Sequence, residues 1–213
     1  MTRIMIVDDH PLMRRGLAIT LDGEPGLSVV VQAESAEQAL DADFSALDLV
    51  IADVSLPGMS GLELTKQLVV LYPHLPVLVV SRHDEGLYAE RALRAGAKGY
   101  VMKHEPSETL VTAVRRVLRG GVYVSPAISD RLLMGIAGGA NLAQQSPLDV
   151  LSDRELEVFE LSGNGVATRE IAERLHLSVK TVESYRARIK TKLGLNTAAE
   201  FMQHAVQWVT TKG

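Results

Sequence analysis

The sequence predicts two domains of different class: an α/β domain over residues 1–124 and an all-α four-helix domain over residues 148–213, joined by a linker at 125–147. Three observations carry this. Strand-like and helical patterns alternate five times within the first 124 residues. The strand-like runs are short, continuous and rich in Val and Ile, as in parallel strands buried on both faces. The last 66 residues hold only helical periodicity, interrupted at glycine. Alternation of the first kind implies right-handed crossovers, with helices on both faces of one parallel sheet.

Taken from the N-terminus, strands are expected near 3–7, 28–33, 48–52, 76–81 and 98–102, and helices near 11–22, 35–42, 60–71, 85–95 and 107–119. Pro57-Gly58 breaks the chain after the third strand, and Gly61 follows, so the loop beyond Asp53 is tightly turned. Gly120-Gly121 ends the fifth helix, and residues 126–137 have the pattern of a short helix. The stretch 138–147 is small, polar and uncharged, which is the composition of a flexible connector. Beyond it, Ser152 and Glu155 form a capping box that opens a helix to about Ser162. Gly163-Asn164-Gly165 stops that helix, Thr168 starts a short one through Leu175, and His176-Leu177 makes a turn. Ser178 caps the next helix to about Leu193, Gly194 ends it, and Asn196 or Thr197 opens the last, to about Val209.

Composition narrows the function. At 46% hydrophobic residues the chain has ample material for two cores, and with no cysteine it has neither disulfides nor thiolate metal sites. No apolar run approaches membrane-spanning length, and a signal peptide is not expected, so the reading is a soluble cytoplasmic protein without membrane contact. The net charge of −4 hides an asymmetry: Ser178–Lys192 holds five basic residues and one acidic. Phosphates sense such a local stripe, because salt screens charges beyond about 8 Å.

Four of the apolar runs end in polar residues: Asp8-Asp9, Asp53, Ser81 and Lys103. In an open parallel sheet, ligands bind beyond the carboxyl ends of the strands. An Asp at a strand end is ordinarily a cap or turn residue, and Ser81 alone reads as a helix cap; the joint placement is what points to chemistry. Asp53 is the candidate nucleophile, since a carboxylate can take a phosphoryl group as an acyl phosphate. Asp8 and Asp9 beside it would repel unless a cation joined them, and hard oxygen ligands point to Mg²⁺. Lys103 would neutralise one phosphate oxygen and Ser81 would donate a hydrogen bond to another. His10 reads as packing at a helix entry.

In the helical domain, Ile171, Ala172, Leu175, Leu177, Val179, Val182, Ile189 and Leu193 have core spacing. The opposite face presents Lys180, Thr181, Glu183, Ser184, Ala187, Arg188 and Lys190-Thr191. A short helix, a turn and a second helix with a basic face make a helix-turn-helix pattern.

With Asp8-Asp9, Asp53 followed by Leu56-Pro57-Gly58 and Gly61, Ser81, and Gly96-Ala97-Lys98-Gly99-Tyr100 before Lys103, residues 1–124 resemble the receiver domain of two-component response regulators. Residues Leu151-Ser152-Asp153-Arg154-Glu155 through Ile189-Lys190-Thr191-Lys192-Leu193-Gly194 resemble a LuxR-type helix-turn-helix, as in the NarL/FixJ class. Tyr185 stands where many members carry His. The resemblance implies a flavodoxin-like sheet order 2-1-3-4-5 and phosphorylation of Asp53 by a cognate histidine kinase. It implies Mg²⁺ on Asp9, Asp53 and the backbone carbonyl of Ser55, with Asp8 in support. Switching would fall on Ser81 and on Tyr100 rotating inward, and Ser55 and His83 would tune phosphate lifetime.

By the same resemblance Glu183, Ser184 and Ala187 would face the bases of double-stranded operator DNA. Lys180, Thr181, Tyr185, Arg186, Arg188 and Lys190 would meet phosphates, which set register rather than sequence choice. A module this small makes few contacts, so a two-fold homodimer on paired half-sites is expected on phosphorylation. The stripe Ala199, Met202, Ala205, Val206 and Val209 is a candidate interface, as are the first and fifth helices. Two rival readings remain here: an aspartyl-phosphate phosphatase, and a DNA binder with a vestigial receiver.

Overall fold

The computed structural model describes residues 1–137 and 147–210; the expected connector falls outside them, apart from Pro147. The chain forms two compact units, Met1–Gly138 and Gly139–Gly213.

In the first unit β1 (Thr2–Val7), β2 (Leu27–Ala33), β3 (Leu49–Ala52), β4 (Val77–Ser81) and β5 (Gly99–Met102) alternate with α1 (Pro11–Asp22), α2 (Ala36–Leu40), α3 (Gly61–Leu71), α4 (Glu85–Arg94) and α5 (Ser107–Leu118). The strands pair in parallel in the order β2-β1-β3-β4-β5, as the sequence predicts. Side-chain alternation splits the sheet between two cores. Ile4, Ile6, Leu49, Ile51, Leu78 and Val80 pack against α1 and α5, with Leu17, Leu21, Leu110 and Val114. Met5, Val7, Val50, Ala52 and Val77 pack on the other face against Ala36, Leu64 and Leu68. Burying one such side chain contributes about 1.5–3 kcal/mol, so both helical layers are held by apolar area.

The stretch 125–137, read as linker, is knit into this first unit. After α5 the chain lays Tyr123 alongside β5: Tyr100 N–H donates to the Tyr123 carbonyl at 2.9 Å and Tyr123 N–H to that of Lys98 at 2.9 Å. Helix α6 (Pro126–Ala137) then sits at the start of α4. Ser125 Oγ donates to Glu85 at 2.8 Å and Arg131 to the Gly86 carbonyl at 2.6 Å. Composition alone shows none of these partners.

The second unit holds α7 (Asp153–Gly163), α8 (Thr168–Arg174), α9 (Val179–Leu193) and α10 (Ala198–Thr210) after a 3-10 turn at Pro147–Val150. The Ser152–Glu155 capping box forms as expected. Of the two expected starts of the last helix, Thr197 is the cap: its Oγ1 accepts from Glu200 N–H at 3.1 Å. The α10 stripe divides. Ala205 is buried, with Gly163 of α7 so close that a Cβ there would strike the Ala205 carbonyl, whereas Ala199 and Val206 are exposed.

Glu155 ties α7 to α9 as well as capping α7. Burial pushes its carboxyl up, but Lys192 at 2.6 Å and the Ser152 bonds outweigh this and hold it below the usual range. A depressed carboxyl contributes stability that is present above its unfolded pKa and is lost as pH falls through the folded value. Glu155→Gln keeps an oxygen for the capping box but loses the charge that pairs with Lys192, and is therefore expected to lower the melting temperature at pH 7, at a cost of about 1 kcal/mol. It should also flatten the acid-side decline of the second unit below the ordinary carboxylate range, followed by Trp208 fluorescence. A wild-type acid limb in the variant would contradict this role.

Candidate acidic site and nucleic-acid interface

Because β1, β3, β4 and β5 are neighbours, their carboxyl ends bring Asp8, Asp53, Ser81 and Lys103 together. Backbone bonds fix the tips: Asp53 N–H donates to the Val7 carbonyl at 2.9 Å, and Lys103 N–H to that of Ser81 at 2.7 Å. The Lys103 ammonium is buried between two carboxylates, 2.7 Å from Asp53 Oδ2 and 2.6 Å from Asp8 Oδ2. Asp53 Oδ1 accepts from the Val54 N–H at 2.7 Å. Burial raises the Asp53 pKa; Lys103 pulls it back and Asp8 pushes it further up.

The acidic cluster can hold a metal. One ligand atom each from Asp8, Asp9, His10 and Asp53 lies within 4.8 Å of the others. Lys103 reaches Asp8 Oδ2 without the alignment of a hydrogen bond, so this buried oxygen keeps an unfilled acceptor position. Buried acceptors are ordinarily satisfied, and an ion fits the gap and offsets the repulsion of three carboxylates. His10 belongs to this cluster as well as to the helix entry. Its Nδ1 lies 2.5 Å from Asp9 Oδ1 and its Nε2 2.6 Å from Arg82. Arginine only donates, so Nε2 accepts and the proton sits on Nδ1, facing Asp9. The pairing with Arg82, across 72 positions, has no sequence signal.

Behind the pocket, Ser81 is fully buried and its Oγ accepts from the His83 N–H at 3.3 Å. Tyr100 is 1% exposed and turned inward, its hydroxyl donating to the His83 carbonyl at 2.6 Å. The His83 ring lies 4.5 Å from that of Tyr88 and its Nε2 is 2.7 Å from Ser55 Oγ. The β4–α4 loop is thus tied to both Tyr100 and the Asp53 loop. On the other side, Gly58 takes a positive φ of 69° and the Ser60–Glu63 capping box starts α3.

In the second unit, Ser178 caps α9 and Gly194 ends it in the left-handed conformation. Lys180, Glu183, Ser184, Ala187 and Arg188 are exposed along one face, and Thr181, Tyr185 and Lys190 are half-buried beside it. Arg188 lies 5.8 Å from the Tyr185 ring centroid. Arg186 departs from the expected phosphate-facing set. Its guanidinium folds back onto Thr168 and Ser162, because those hydroxyls and the Phe201 ring offer a half-buried seat that its long stem can reach.

Residues 4–115 match the family described as response regulator receiver domain, and residues 149–205 match bacterial regulatory proteins of the luxR family. The oxygen regulatory protein NreC of Staphylococcus carnosus is 35% identical over 210 residues, covering 96% of this chain and 97% of that protein. The crystal structure of ChrA, a response regulator of a heme-sensing two-component system, is 30% identical over 97% of this chain and 96% of that one, with a TM-score of 0.53. RcsB of Salmonella enterica serovar Typhimurium, solved on the promoter P1flhDC with the phosphomimetic BeF3-, is 25% identical over 96% of this chain and 98% of that one, with a TM-score of 0.59. With both halves matched in order and the site residues at the strand ends, the chain belongs to the two-component response regulators of the NarL class, a receiver domain followed by a LuxR-type DNA-binding domain.

Proposed function

We propose that Asp53 accepts a phosphoryl group from a cognate histidine kinase, and that this gates dimerisation and sequence-specific binding to operator DNA, regulating transcription in the cytoplasm. The observation that carries the reading is Lys103 bridging Asp8 and Asp53 in a buried pocket that Ser81 also borders. A carboxylate oxygen of Asp53 would attack phosphorus, the P–N bond to the kinase's phosphohistidine breaking as the O–P bond forms and the imidazole leaving with a proton from solvent, while Lys103 would pair with an oxygen of the arriving group. Mg²⁺, held by Asp9, Asp53 and the Ser55 carbonyl with Asp8 in support, would offset charge on the phosphoryl oxygens. Ser81 would move to donate to a third oxygen, and Tyr100, which already lies inward rather than having to rotate there, would hold the β4–α4 loop through its bond to the His83 carbonyl. A turnover phosphatase would want a carboxylate two residues beyond the nucleophile; Ser55 stands there and engages His83 instead.

Moving a two-state balance from 1:99 to 99:1 takes about 5.5 kcal/mol, which charge rearrangement and a new dimer interface together can supply. The RcsB complex on promoter DNA with a phosphomimetic supports this reading. Lys180, Thr181, Tyr185, Arg188 and Lys190 are proposed to grip phosphates while Glu183, Ser184 and Ala187 face bases. Acetyl phosphate with Mg²⁺ is expected to raise affinity for a duplex selected by the protein by roughly 5- to 150-fold, the usual span of allosteric coupling. Sedimentation should show a dimer under the same conditions. Equal affinity and unchanged mass with and without acetyl phosphate would leave a phosphorylation-independent DNA binder.

A further inference from the structure

Arg186 touches all three other helices of its unit. Its Nη1 donates to Thr168 Oγ1 at 2.7 Å, in the first turn of α8. Its Nη2 donates to Ser162 Oγ at 3.0 Å, in the last turn of α7, with Nε 3.3 Å from the same oxygen. Its guanidinium carbon stands 5.7 Å from the centre of the buried Phe201 ring on α10. Ser162 is fully buried and its proton is committed to the Val158 carbonyl at 2.7 Å, so its oxygen remains an acceptor aimed at the fork. Among the described residues no carboxylate hydrogen-bonds to Arg186; Glu183, one turn back on α9, acts on it only through its charge. The seat therefore fixes the fork's direction without neutralising it.

The helix this fork steadies is weak by itself. Helix α8 has seven residues, and its start at Ala167 has no side-chain cap. A helix that short is not stable without outside support. The bond from Arg186 to Thr168 holds its first turn directly to α9, and the bonds to Ser162 hold α9 to α7. A reading helix must keep its side chains within about 0.5 Å of their targets, and such precision comes from supporting bonds of this kind.

We propose that Arg186 is a positioning residue that sets how α9 is presented to DNA, acting through Thr168 and Ser162, and that it does not bind a phosphate. This rests on the DNA-binding reading above. The alternative role, a direct phosphate contact, makes opposite predictions. Lysine keeps the charge but cannot span both hydroxyls, so it satisfies a phosphate and fails as a brace.

The test uses the full-length protein with acetyl phosphate and Mg²⁺, and a duplex that the wild type enriches from a random library. Affinity is measured by fluorescence anisotropy across a salt series for Arg186→Lys, Arg186→Gln, Thr168→Val, Thr168→Ser and the double variant Arg186→Lys/Thr168→Val. Arg186→Lys and Thr168→Val are each expected to weaken binding roughly tenfold, as loss of a charged hydrogen bond does. The double variant should be no worse than either single one, Thr168→Ser should restore wild-type affinity, and the slope of log K against log salt should stay unchanged. Near-normal binding by Arg186→Lys, additive effects, or a slope shallower by about 0.9 in Arg186→Gln would overturn the proposal in favour of a phosphate contact. Affinity losses that merely track the melted fraction, read from Trp208 fluorescence, would overturn it in favour of a general stability role. If the wild type enriches no duplex, the DNA-binding reading falls first and the proposal with it.

Discussion

Asp53→Asn is expected to take up no phosphoryl group from acetyl phosphate in Mg²⁺, and its DNA affinity should no longer respond to acetyl phosphate at all. The amide keeps the shape of the side chain but removes the oxygen that would attack phosphorus. The variant should not fail by unfolding. Burial raises the Asp53 pKa, with Lys103 opposing and Asp8 adding to the rise. For a raised carboxyl the stability contribution is complete below the unfolded pKa and is lost as pH rises through the folded value. Wherever Asp53 is ionised its buried charge therefore weighs against the fold, and a neutral amide removes that burden. In EDTA at pH 7 the variant should melt at or above the wild-type temperature, while phosphoryl uptake, followed by mass spectrometry, is absent. Uptake at the wild-type rate would move the nucleophile elsewhere.

The pocket was legible in the sequence because a buried parallel strand is a continuous apolar run, and a run that stops on Asp53, Ser81 or Lys103 marks where it leaves the core. Four such stops on neighbouring strands converge by topology alone. Positions set by tertiary neighbours were not legible. Arg186 lies one residue from the outward-facing Ala187, and periodicity cannot say which way a long side chain turns; the deciding acceptors, Ser162 and Thr168, are ordinary residues 24 and 18 positions away. The same holds for Ala205, whose place in an apolar stripe does not reveal that Gly163 of its own unit covers it. Residues 125–137 read as linker because their anchors, Glu85 and Gly86, lie about 40 positions upstream. Helical period marks a face, and it leaves open what the face meets.

Gly61→Ala should both destabilise the receiver and slow phosphoryl uptake, although Gly61 itself does no chemistry. Its N–H donates to the Val54 carbonyl at 2.9 Å, so the first turn of α3 is bound directly to the Asp53 loop. A Cβ at this position would fall on the Asp53 carbonyl oxygen, with the Val54 Cα at 3.3 Å. Backbone atoms cannot rotate aside as a flexible side chain would, so either α3 or the loop must shift. Overpacking of this kind costs about 1–3 kcal/mol and occasionally more. Any shift of the loop also pulls Asp53 away from Lys103, now 2.7 Å distant, which is the geometry the phosphoryl group needs. The matched control is Gly16→Ala, in the middle of α1, where a Cβ meets nothing within 4 Å. There the same change should stabilise by roughly 0.8–1 kcal/mol through helix propensity alone and leave uptake intact. Thermal melts and acetyl phosphate labelling of the two variants, side by side, separate close backbone approach from any general effect of adding a methyl group. Wild-type stability and labelling in Gly61→Ala would show that the Asp53 loop tolerates displacement.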